Sequence, residues 1–129
     1  MTKVKAQAKW LRIGPRKLSR VLEIVRGKLA LEALTLLKFM PQKGARFIEK
    51  TLKSAVANAK NNYKMDENEL VVTEAFANKA IVMKRFQARA RGRAFPINKR
   101  TSHLTVWVGQ PADRPNAKKS KVTQPKEEA

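Results

Sequence analysis

With 129 residues, the chain is long enough for one domain around one core and too short for two. Apolar residues make up 43% of it, enough to exclude wholesale disorder, while a formal charge of +19, from 29 Lys+Arg against 10 Asp+Glu, exceeds what solubility needs. That balance points to nucleic acid first and an anionic membrane second, and the absence of cysteine excludes a disulfide framework and a thiolate metal site. No apolar run reaches the roughly 18 residues that span a bilayer. The first residues are basic and interleaved with apolar ones, unlike a secretory signal, although a transit peptide already removed stays open.

From Lys3 to Trp10 the chain alternates, with Val4, Ala6, Ala8 and Trp10 on one side and Lys3, Lys5, Gln7 and Lys9 on the other, which predicts a half-buried strand. Gly14-Pro15 starts a helix whose inward face is Leu18, Val21, Leu22 and Val25, and Gly27 stops it. A short helix is predicted from Ala30 to Phe39, with Ala33, Leu34 and Leu37 inward and Pro41 ending it. The clearest helix runs from about Gln42 to about Asn62, with the stripe Ala45, Ile48, Leu52, Ala55, Val56 and Ala59. Its Lys43, Arg46, Lys50, Lys53 and Lys60 fall on another face, where Glu49 and Lys53 are spaced to pair. Asp66, Glu67 and Glu69 sit in a polar loop and read as a solvated turn.

Two further strands are predicted, Glu69 to Ala77 with Leu70, Val72 and Phe76 on one face, and Ser102 to Gly109 with Leu104, Val106 and Val108 on one face. From Ala75 to Ala112 there is no acidic residue, and Gly92 lies near the middle of the segment between the strands. A fold-back symmetrical about Gly92 would set Phe76 opposite Val108 and project the segment up to about 30 Å from the body. A long basic hairpin is the preferred reading, with a disordered loop as the alternative. The stretch 111–129, with three prolines and almost no apolar residues, reads as a disordered tail.

At period two Arg89, Arg91 and Arg93 would share one edge of the arm, where guanidinium forks bind phosphate bidentately. The alanines between them keep the arm slim. Phe86 and Phe95 flank the run and would either stack on bases or brace the hairpin, while Trp107 is read as packing. Before Glu23 the chain has no acid, and Lys3, Lys5, Lys9, Arg12, Arg16, Lys17 and Arg20 form a second phosphate-facing surface. His103 is the only histidine and reads as structural or RNA-contacting. No paired carboxylates, metal-ligand cluster, phosphate-binding glycine loop or dinucleotide fingerprint accompanies it, so no catalytic residue, metal or cofactor is expected. A nonspecific nucleic-acid chaperone and a membrane-surface protein are the competing classes. The ordered arm argues against the first, and helix stripes suited to a core argue against the second.

Gly14-Pro15-Arg16-Lys17, Val25-Arg26-Gly27-Lys28, Glu32-Ala33-Leu34, Leu52 through Ala59, Met83-Lys84-Arg85-Phe86, Ala90-Arg91-Gly92-Arg93-Ala94 and Lys99-Arg100-Thr101-Ser102-His103 occur in this order. Together they resemble the L-twenty-two family of bacterial large-subunit ribosomal proteins. The resemblance implies an α+β fold, with three helices packed on a three-stranded antiparallel sheet and a long protruding β-hairpin. It implies a single rRNA-binding domain over 1–110, with a hairpin at about 79–101 that lines the nascent-peptide exit tunnel. The implied partners are large-subunit rRNA, neighbouring large-subunit proteins and the nascent peptide, with no membrane, and a role in subunit assembly follows. The location implied is the ribosome in the cytoplasm, an organellar ribosome remaining open.

The expected rRNA-binding set joins Lys9, Arg12 and Arg20, taken from the acid-free N-terminal stretch, to the residues carried over by the resemblance, Arg16, Lys17, Lys84, Arg85, Arg89, Arg91, Arg93, Lys99, Arg100, Thr101, Ser102 and His103. The expected tunnel-lining set is Lys84, Arg85, Phe86, Arg89, Ala90, Arg91, Gly92 and Arg93. Two departures stand out: Lys79-Ala80-Ile81-Val82 replaces a Gly-Pro usual before the arm, and Gln87-Ala88 replaces a proline common after its Phe.

Overall fold

The computed structural model describes residues 3–110; the tail expectation for 111–129 lies outside the described residues. Strand β1 (Val4–Leu11) is followed by helices α1 (Pro15–Val25), α2 (Ala30–Phe39) and α3 (Lys43–Tyr63), then by the long strands β2 (Val71–Ala88) and β3 (Ala94–Gly109). The sheet order is β1-β3-β2, with β3 antiparallel to both neighbours. The architecture is therefore α+β, as expected. Among the described residues no helix is long and apolar enough to cross a membrane.

Helices α1 and α3 pack on the sheet, and α2 packs against α3. Pro15 fixes the first turn of α1, and Gly27, at φ 78°, supplies the left-handed residue after its end. Leu18, Val21, Leu22 and Val25 are all buried, as the spacing predicts. In α2 Ala33 and Leu37 are buried, with Leu34 half-buried. α3 buries its whole apolar stripe against β1 and β3. From the sheet come Val4, Ala6, Ala75, Leu104, Val106 and Val108, closing one continuous core. Full burial of each Leu or Val contributes about 1.5–3 kcal/mol.

Arg46, placed by its spacing among the free basic groups, is committed to the fold. Its guanidinium donates to the carbonyls of Leu37 (3.1 Å), Lys38 (3.1 Å) and Met40 (3.3 Å), closing the C-terminus of α2. It also pairs with Glu49 at 3.1 Å, as does Lys53, the partner expected from spacing. The hydrogen bond from Lys53, helped by Arg46, holds the Glu49 carboxyl below its usual range despite the opposing effect of desolvation. Because the folded value is lowered, this contribution is present in full above the ordinary carboxylate range and is lost as pH falls from there through the lowered folded value. Arg46→Ala should destabilise the protein by about 1–3 kcal/mol by leaving three carbonyls without their donor. An unchanged midpoint in urea unfolding would show that α2 does not depend on this clamp.

Three β-bulges shape the sheet, and strict alternation misses each of them. On β1, Lys9 and Trp10 together face His103, and Trp10 takes φ 60°. Its freed amide N–H donates to His103 Nδ1 at 3.2 Å. Trp10, expected in the core stripe, is consequently 58% exposed. On β2, Thr73 is the extra residue, and its hydroxyl donates to the Trp107 carbonyl at 3.2 Å. That bulge reverses the phase of the strand, so Ala75 is buried and Phe76 is turned outward, not inward as expected.

The third bulge falls at Ala80 and Ile81, opposite Thr101, whose hydroxyl donates to the Ile81 carbonyl at 2.6 Å. It lies within the Lys79–Val82 departure and marks where the body becomes the arm. From Lys79 to Arg100 no residue is buried. The arm is a paired hairpin, Val82 opposite Arg100 through Ala88 opposite Ala94, so the fold-back centres on Arg91 and not on Gly92. Phe76 accordingly faces Thr105 in place of Val108.

Candidate nucleic-acid interface

The start of α1, the start of α3 and the base of the arm enclose an open cleft of about 1250 Å³. Arg12, Arg16, Lys17, Lys43, Lys79, Arg85, Lys99 and Arg100 line it, and among the described residues no acidic one does. Two segments that are far apart in sequence and separately rich in charge thus become one surface. Gly44 makes the approach possible, since a Cβ there would meet Leu18 Cδ2 at 3.2 Å and Ile13 Cδ1 at 3.4 Å. The N-termini of α1 and α3 can therefore sit side by side.

Neither helix has a side-chain cap or an acid in its first turn. Their helix dipoles add positive potential to the cleft. Over its rim, Arg12 Nη2 and Arg85 Nη2 approach Met83 Sδ at 3.7 and 4.0 Å, linking the end of β1 to the arm. The ion pairs found among the described residues are Lys3–Glu74, Arg46–Glu49, Lys53–Glu49 and Lys60–Glu67. None uses a cleft or arm residue, so those cations have no acidic partner among the described residues. Close like charges repel by roughly 1 kcal/mol at 4 Å in water and more near a protein surface. A polyanion removes that repulsion.

At the far end of the arm, Ala90–Gly92 form a single 3-10 turn closed by a 2.7 Å hydrogen bond from the Arg89 N–H to the Arg93 carbonyl. Arg91 is left-handed (φ 62°, ψ 33°) and Gly92 has φ 68°. Arg89, Arg91 and Arg93 therefore fan out around a turn and do not share one strand edge, the arrangement expected from period two. Phe86 lies opposite Pro96 and Phe95 opposite Gln87, so the two rings do not face each other across the ladder. They are 78% and 48% exposed.

The other expected site residues scatter. Lys84 is exposed on the arm, and Ala90 and Gly92 are exposed at its tip. Arg20 lines a shallower groove on α1 with Arg16, Ser19 and Glu23. Lys9 is exposed at the β1 bulge. Thr101 borders the cleft, but its hydroxyl is spent on Ile81. Ser102 is wholly buried and its hydroxyl donates to the Ile13 carbonyl at 2.8 Å, a fold-holding role. His103 accepts from Trp10 on the sheet face away from the helices, a bond that needs Nδ1 without a proton.

Lys43 and Lys79 are the cleft cations absent from the expected set. Lys79 had a sequence signal in the acid-free stretch; Lys43 is brought in only by the packing of Gly44 on Leu18. Asp66, Glu67 and Glu69 behave as a solvated turn, with Asp66 Oδ1 accepting from the Asn68 N–H at 3.0 Å and Glu67 reaching Lys60 at 3.6 Å.

A family model described as ribosomal protein L22p/L17e matches residues 6–109, reaching from within β1 to the end of β3. With that match and its α+β architecture, the chain belongs to the L22p/L17e family of large-subunit ribosomal proteins.

Proposed function

We propose that residues 1–110 act as one non-enzymatic rRNA-binding unit of the large ribosomal subunit, seated on rRNA by the cleft and threaded through it by the arm. The observation that carries this reading is the convergence on one cleft of eight cations, none with an acidic partner among the described residues, and of two helix N-termini without side-chain caps. Phosphates entering it displace condensed counterions, which makes affinity strong and steeply salt-dependent. The arm, slim and unburied over its length, would run along the nascent-peptide exit tunnel with Arg89, Arg91 and Arg93 against rRNA at its tip. Nascent peptide and neighbouring large-subunit proteins are then its other contacts, and fixing distant rRNA segments together is its part in assembly.

Sedimentation of cell lysate tests the reading. The chain should co-migrate with the large subunit and stay there until high salt strips it. Its absence from that fraction would refute the proposal.

A further inference from the structure

The sheet face away from the helices carries aromatic rings that the fold has no use for. Alternation assigns Trp10 and Phe76 to the core, yet a bulge at Lys9-Trp10 and another at Thr73 deliver both to the open face. They are 58% and 36% exposed. They flank the central strand, Phe76 opposite Thr105 and Trp10 beside His103, one row further on. With strands about 4.8 Å apart and about 3.3 Å per residue along them, the two backbone positions lie about 12 Å from each other.

Trp10 is held in place. Its backbone N–H is bound by His103 Nδ1, and the imidazole meets the indole edge-on, with centroids 4.6 Å apart and planes at 81°. That contact leaves the indole exposed and oriented. Trp107, the other large ring of this face, is already covered by Lys5 Nζ at 5.6 Å.

The electrostatics select the occupant. Lys3, Lys5 and Lys9 border the face, and Glu74, its one acid among the described residues, is neutralised by Lys3 at 3.1 Å. Asn78, exposed opposite His103, offers an amide to a base edge. Flat rings spaced across a cationic sheet suit unstacked nucleobases, whose faces stack on aromatics while lysines take the phosphates.

We infer that this face is a second RNA-contact surface, separate from the cleft, which stacks unpaired bases of single-stranded RNA on Trp10 and Phe76. The inference rests on the rRNA-binding reading but concerns the opposite side of the body. A paired duplex keeps its bases stacked and cannot occupy it.

Trp107→Phe leaves Trp10 as the sole tryptophan and makes its emission a local probe. Titration with a short single-stranded oligoadenylate should quench that emission to saturation, whereas an RNA duplex of equal length should bind through the cleft without quenching. In this background Phe76→Ala and Trp10→Ala should each weaken oligoadenylate binding about tenfold, with Trp10→Phe restoring most of it. Circular dichroism confirms that the variants are folded, since neither side chain belongs to the core. Oligoadenylate bound with Trp10 emission unchanged, or folded Ala variants that bind as tightly as the parent, would overturn the inference. Emission that responds to large-subunit proteins and not to RNA would overturn it too, by making the face a protein seat. Failure of the rRNA-binding reading would look different: duplex and large-subunit rRNA would then not bind either.

Discussion

Lys17→Glu, Arg85→Glu, Lys99→Glu and Arg100→Glu, combined in one protein, should lower affinity for large-subunit rRNA by at least about three decades at about 0.15 M salt. All four line the cleft and have no acidic partner among the described residues. Each phosphate contact that releases a counterion is worth about 0.7 decade at that salt, and reversal adds repulsion to the lost release. The slope of log affinity against log salt should flatten by roughly three to four. The free protein should respond in the opposite direction. Removing like-charge crowding raises its stability by up to about 1 kcal/mol, read as a higher Tm. A variant with a collapsed Tm would show the cations to be structural. An unchanged salt slope would show that phosphates do not enter the cleft.

The second large effect belongs to the arm. With Arg89→Glu, Arg91→Glu and Arg93→Glu together, the protein should fold with its stability altered by no more than about 0.5 kcal/mol, because the tip is exposed and packs on nothing. Its incorporation into large subunits, followed by gradient sedimentation of tagged protein against wild type, should fall at least about tenfold. Arg91→Gly separates charge from backbone. The left-handed turn at φ 62° costs a non-glycine residue about 1–2 kcal/mol, so glycine should tighten the tip even as it removes one cation. Normal incorporation of the triple variant would mean that the arm does not depend on these arginines. A loss of several kcal/mol in the free protein would make the tip part of the core.

The helices could be read because their signals are local. Pro15, Gly27 and Pro41 mark boundaries through backbone chemistry, and the buried stripes repeat at helical spacing within each segment. The sheet was legible in its existence and less so in its phase. Each bulge inserts one residue, which is why Trp10 and Phe76 change faces, while the turn at Ala90–Gly92 sets the fold-back on Arg91 in place of Gly92. The partners that satisfy the bulges, His103, Thr73 and Thr101, are visible in the chain, but nothing local says which carbonyl or amide each will reach.

The site divides the same way. The excess of charge was plain, and so was the family resemblance. That the start of α1 and the base of the arm form one cleft depends on α3 arriving beside α1, a contact made through Gly44 and Leu18 with no sequence pattern of its own. Ser102 shows the converse. It sits inside a basic motif, yet its hydroxyl closes a buried contact to Ile13 from the far end of the chain's sequence.

The most direct test of the account is a contact map from the assembled particle, with a photo-reactive residue placed at position 91 in the arm tip and, separately, at position 100 in the cleft. Both positions should crosslink to large-subunit rRNA, at distinct sites, in purified large subunits. Crosslinks from both positions to protein alone, or none to rRNA, would contradict it.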